Sequence, residues 1–132
     1  KSTLNGLELT ATGAGVGSRY KKILAHQTMI ERLFADLFIQ SHQGKRPPRQ
    51  IVLDVDATDD PIHGDHLGRF FHGYYGNFCY LPLYIFCGEH LLCAKLRPSN
   101  IDASLGSVTA LASIVEQIRA AWPKARIIIR VD

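Results

Sequence analysis

Apolar and polar positions change period along the chain, and the changes predict its elements. Ile30, Leu33, Phe34, Leu37 and Phe38 follow the three-and-four spacing of an amphipathic helix. Thr28-Met-Ile-Glu31 overlaps its start and has the T-x-x-E form of a capping box. The helix should end near Ser41, and residues 44–50, GKRPPRQ, read as a linker that Pro47 and Pro48 keep extended. At Ile51 the period becomes two, with Ile51, Leu53 and Val55 on one face and Val52, Asp54 and Asp56 on the other. Phe78 to Cys87 reads as a second strand, in which Pro82, lacking a donor, marks a bulge or an unpaired position. Gly88-Glu89 fits a tight antiparallel turn into a third strand, His90 to Leu96. Ser104 or Ser107 can cap a helix striped by Val108, Leu111, Val115, Ile118 and Trp122, which Pro123 stops. Ala125 to Asp132, ARIIIRVD, is a nearly continuous apolar run of the kind covered on both faces.

Strand, strand, strand, helix, strand is therefore the expected order. Hairpins make the first three strands antiparallel, and a helical crossover makes the fourth parallel to the strand it joins. If 51–56 and 126–132 lie side by side, Asp56 and Asp132 meet although 76 residues separate them (132 − 56). Charge on an apolar strand is costly unless compensated, so Asp54 and Asp56 on one face of the first strand are, with Asp132, the expected metal ligands. Strand-end carboxylates that converge suit a hard cation, Mg²⁺ or Mn²⁺, held through oxygen. Taken on its own, the first strand leaves a second reading open, in which Asp56, Asp59 and Asp60 merely solvate a turn before Pro61.

Composition changes this picture little. The chain has 132 residues, 46% hydrophobic and 20% charged, which suits one globular domain or a domain with an arm. A net charge of +3 permits nucleic-acid binding without requiring it. No apolar run reaches the roughly 18 residues of a membrane span. There is no signal-peptide pattern, and a start at Lys1 rather than Met leads to the expectation of a fragment. Cys79, Cys87 and Cys93 are odd in number and lack C-x-x-C spacing, so they read as reduced, buried thiols of a cytosolic protein. TATGAGVGS near the start has neither the glycine spacing nor the Lys-Ser/Thr of a phosphate loop and reads as a flexible loop. His63, His66 and His72 lack the fourth, compactly spaced ligand of a zinc site, and their segment reads as a lip lining the site. The basic residues of the arm, Lys45, Arg46 and Arg49 among them, have solvation as the plain reading and phosphate contact as the sharper one.

LDVDATDDPIHG (53–64), FFHGYYG (70–76), CYLPLYIFCGEHLL (79–92) and LRPSNIDAS (96–104) together resemble the DDE-type transposases of bacterial insertion sequences. The resemblance covers most of residues 51–132 and implies a ribonuclease H-like mixed sheet, preceded by a helical arm over 1–50. It also implies an Asp on the first strand, an Asp on the fourth and a Glu on a later helix, which together hold two divalent ions. Asp132 matches the second acid. Asp56 matches the first, because Asp56-Ala-Thr58 resembles the D-G-T or D-G-S of that superfamily, with Asp54 as runner-up. Val131 departs from the small residue usual before the second Asp, and the sequence stops where that family continues with S-G-F. The expectation is thus the first part of a catalytic domain, shortened at its C-terminus and without its Glu, since neither Glu89 nor Glu116 lies on the right element.

The activity so implied is phosphodiester hydrolysis and strand transfer in a bacterial cytoplasm, with Mg²⁺ or Mn²⁺ as cofactor. The partner is double-stranded DNA, as transposon ends and target, and a homo-oligomer stays open. Lys45, Arg46, Arg49 and Arg69 are the expected phosphate contacts. The rival expectation is a catalytically silent remnant that at most binds DNA.

Overall fold

The computed structural model describes residues 26–131. The chain divides into two compact units, residues 1–30 and 31–132, and of the first only the opening of one helix is described. That helix, α1, runs Gln27–Ser41. His26 precedes it, its carbonyl accepting from the Met29 and Ile30 amides at 3.0 Å each, so the helix begins before the expected capping box. Glu31 pairs instead with Lys95 at 3.1 Å. The expected stripe is rotated: Ala35 and Phe38 are buried, whereas Leu33 and Leu37 are exposed.

A four-stranded mixed sheet forms the body, in the order β6-β5-β1-β7: β1 is Gln50–Ala57, β5 Leu83–Cys87, β6 His90–Lys95 and β7 Arg126–Val131. β5 is antiparallel to β1 and β6 antiparallel to β5, and β7 pairs parallel to β1. Helix α2, Ser107–Ala121, supplies the crossover between β6 and β7. This arrangement is compatible with a ribonuclease H-like sheet. Gly88 turns β5 into β6 at φ 58°, a left-handed conformation that costs glycine little.

The period-two pattern of β1 sorts its faces as expected. Ile51, Leu53 and Val55 enter a core with Leu83, Ile85, Leu92, Phe38 and α2, while Val52 and Asp54 are half-buried and Asp56 is exposed on the other face. Both helices contribute to the core on the Ile51–Leu53–Val55 side.

Four further expectations change. The apolar run 78–87 is two strands, β4 (Asn77–Tyr80) and β5. Leu81 and buried Pro82 carry the chain between them, and β4 joins a second sheet, β2-β4-β3, with β2 Asp60–Pro61 and β3 Phe70–His72. The stripe of α2 is turned, because Ala110, Ile114 and Ile118 are its buried apolar residues and Val108 is 77% exposed. Neither serine caps α2: Gly106 is its N-cap, with no side-chain cap bond, and the Ser107 hydroxyl donates to the Ser104 carbonyl at 2.7 Å. Finally, β7 is not covered on both faces. It is the edge strand of the described sheet, and Ile129 and Val131 are 47% and 70% exposed. A run of apolar residues cannot itself say whether a neighbouring strand is present.

Candidate active site

β1 positions the candidate acids. Its core face is locked by Ile51, Leu53 and Val55, so the alternation fixes Asp54 and Asp56 on the opposite face. Parallel pairing with β7 advances residue for residue, from Gln50↔Arg126 to Val55↔Val131. Asp54 therefore stands opposite Arg130, and the guanidinium grips it through two bonds, Nε to Oδ1 at 2.5 Å and Nη2 to Oδ2 at 2.8 Å. These bonds hold the Asp54 carboxyl below its ordinary range, against a smaller opposing effect of burial.

Asp56 differs from Asp54 in surroundings, not in strand or face. No described side chain hydrogen-bonds to its carboxylate or pairs with it, and it is exposed and lines two cavities. One, of about 530 Å³, is shared with Asp54, Phe86, Gly88 and Arg130. The other, of about 410 Å³, is walled by His72, Tyr74, Tyr75, Leu81 and Ala103. An acceptor-only oxygen pair facing open space suits a hard cation; a carboxylate already held by an arginine does not. Among the described residues no group of three or more His, Cys, Asp or Glu side chains is placed to hold a metal ion, His63, His66 and His72 included. Asp132 lies outside the described residues.

The second sheet builds the wall of the Asp56 cavity. Tyr75 donates from its hydroxyl to the Ala57 carbonyl at 3.2 Å, tying the β3–β4 turn to the end of β1. Burial pushes the Tyr75 hydroxyl pKa up, and the carboxylates of Asp59 and Asp56 add to the effect, so it stays a donor. Asn77 donates to Asp59 at 3.0 Å, which engages that carboxylate within the wall. His72 Nδ1 and Asn77 Oδ1 are inaccessible and have no hydrogen-bond partner.

Two residues of LRPSNIDAS brace this wall from behind. Arg97, buried, donates from Nε to the Leu81 carbonyl at 2.8 Å and from Nη1 to those of Ala103 and Leu105 at 3.0 and 2.6 Å. It thus joins two linings of the Asp56 cavity, Leu81 and Ala103. Buried Ser99 accepts from the Phe70 amide at 3.2 Å and donates to the Phe70 carbonyl at 2.9 Å, clamping β3.

The expected phosphate contacts are dispersed. Lys45, Arg46 and Arg49 lie on the exposed segment between α1 and β1, and Arg49 lines a cavity with Pro48, Trp122 and Lys124. β1 separates Arg49 from Asp56 by seven residues, roughly 23 Å of extended chain. Arg69 lies beside the second sheet, paired with Asp65 and with its guanidinium 4.7 Å from the Phe78 ring centre. Sequence reasoning missed Arg130 as the partner of Asp54. The signal was present, since these two are 76 residues apart, as Asp56 and Asp132 are. It also missed Tyr75, Arg97 and Ser99, whose bonds to distant carbonyls leave no local pattern.

Comparison with curated proteins and with solved structures gives no match. The family model described as transposase DDE domain group 1 matches residues 1–132, and the chain belongs to that family.

Proposed function

We propose that this chain carries the first two acids of a metal-dependent DNA-cleaving and strand-transferring site, Asp56 as the first and bridging acid and Asp132 as the second. The observation that carries the reading is the parallel pairing of β1 with β7, whose last described pair is Val55↔Val131. In the sequence Asp56 follows Val55, and Asp132 follows Val131. Divalent ions held there would supply activation of water, and later of a DNA 3′-hydroxyl, and would stabilise the leaving oxygen.

The chain's own residues have separate tasks in this reading. Asp56 offers unengaged carboxylate oxygens from a strand fixed on one side by the core. Asp54, held by Arg130, sets the two strands in register and is not a metal ligand. Tyr75, Arg97 and Ser99 keep the cavity wall in place beside Asp56. Lys45, Arg46, Arg49 and Arg69 take DNA phosphates and orient the duplex without reading its sequence. Two carboxylates close together repel, and a cation relieves that repulsion.

A third acid is needed for turnover, and neither Glu89, in the β5–β6 turn, nor Glu116, on α2, approaches Asp56 in the cavity linings. The 132-residue chain alone is therefore expected to leave supercoiled plasmid intact in Mg²⁺ or Mn²⁺. Nicking that Asp56→Ala abolishes would overturn the need for a third acid while supporting Asp56; nicking that survives the substitution would indicate a contaminating nuclease.

A further inference from the structure

Residues 44–50 and 119–127 carry six basic side chains and no acid. The two segments meet at one end of the sheet, where the Arg126 amide donates to the Arg49 carbonyl at 2.9 Å. Arg119 is used internally, its guanidinium donating to the Pro123 carbonyl at 3.2 Å and to that of Ala125. Lys45, Arg46, Arg49, Lys124 and Arg126 are exposed, and among the described residues their side chains make no hydrogen bond or ion pair. Asp36 and Glu116, on the two helices, line a different cavity together with Arg32. Like charges kept together with nothing to neutralise them attract a polyanion.

Between the two segments lies a cavity of about 400 Å³, with Arg49 and Lys124 on its lining beside Pro47, Pro48, Trp122 and Pro123. Proline fixes φ, so the cations ride on stiff chain and lose less entropy when they bind.

The hydrogen-bonding character of this cavity is one-sided. Its lining side chains present donors and apolar surface, and none of them is an acceptor. The carbonyls of Arg49, Trp122, Pro123 and Ala125 already accept hydrogen bonds. The backbone of DNA is the complement, with anionic oxygens that accept, apolar sugars and no donor. A peptide would bring amide N–H groups and RNA its 2′-hydroxyls, which these side chains cannot accept. In a duplex the bases turn inward, and the backbone is what such a surface meets.

We infer that this cavity and the five cations around it form a surface for the sugar–phosphate backbone of duplex DNA, held without reading its sequence. Arg49 lies beyond the opposite end of β1 from Asp56, so the surface takes flanking duplex rather than the phosphate to be cut. It rests on the DNA-substrate reading above, and no metal ion takes part in it.

The test titrates the 132-residue chain with short blunt duplexes of two unrelated sequences. Trp122, the chain's one tryptophan, lines the cavity and reports its occupancy. Both duplexes should shield Trp122 emission from acrylamide to the same extent. Arg49→Gln combined with Lys124→Gln should lower the magnitude of the salt slope by about 1.8, which makes the affinity lost between about 50 and 200 mM salt about 12-fold smaller. Arg49→Lys combined with Lys124→Arg should keep the parent's slope, and Arg32→Gln, which removes a charge elsewhere, should barely change it. Thermal melts check that each variant folds. Duplex binding that leaves Trp122 unshielded and the slope of the double glutamine variant unchanged would overturn this surface while the DNA-substrate reading stands. Failure to bind either duplex would overturn both. Tighter binding of polyglutamate than of duplex, with Trp122 shielded, would overturn it in favour of an acidic protein partner.

Discussion

β1 and β7 run side by side in the same direction, and in sequence they look alike, each an apolar run with an aspartate toward its end. In the fold they are opposites. β1 is central, paired on both edges, with Leu53 wholly buried; β7 is paired on one edge, and Ile129, directly opposite Leu53, is half in solvent. The rigid strand carries Asp56, and the edge strand is registered against it by Arg130. The difference teaches that position in the sheet, more than apolar content, decides which of two similar strands can hold a carboxylate still.

The largest effect that would break this comparison is on stability. Leu53→Ala should cost about 2–5 kcal/mol, the usual range for a buried leucine, and Ile129→Ala in the same register only about 1 kcal/mol. Urea unfolding of both variants measures the contrast, and equal losses would mean that β7 is covered in solution.

That contrast shows what the sequence could and could not convey. The faces of β1 were legible because alternation is a local property: Ile51, Leu53 and Val55 had to share one side. The parallel pairing with β7 was legible because a helical crossover leaves few other topologies. Exposure of Ile129 was not, since burial at an edge depends on a neighbour that the strand's own residues do not name. The α2 stripe rests on three-and-four spacing counted from Val108, and that spacing fits more than one phase of the helix. It therefore passed over Ala110 and Ile114 and included Val108, which points to water. Pro82 was correctly read as an interruption, yet nothing nearby says that the chain changes sheets there. Of the candidate site, the strand and face that carry Asp56 were legible, whereas Tyr75 and Arg97 act through carbonyls far away in sequence.

A smaller effect concerns association. An unpaired apolar edge is a template for another strand, so the chain should self-associate through β7. Ile129→Lys should reduce light scattering at high concentration, whereas Val108→Lys, more exposed but on a helix, should not. No change with Ile129→Lys would place the contact elsewhere.

Smaller still is the link between the two strands. The Asp54 carboxyl is held low by Arg130, so the pair's contribution is present above the ordinary aspartate range and lost as pH falls through the lowered folded value. In Arg130→Gln the Asp54 titration followed by NMR should move upward, toward the usual value. An unmoved midpoint would show that the pair does not persist in solution.

The most direct test of the account is Mn²⁺ titration of the 132-residue chain, followed by paramagnetic broadening of the resonances near the end of β1. The account predicts saturable broadening that Asp56→Asn abolishes and Asp54→Asn leaves largely intact. Broadening that survives Asp56→Asn but disappears in Asp54→Asn would contradict it and move the first acid to Asp54.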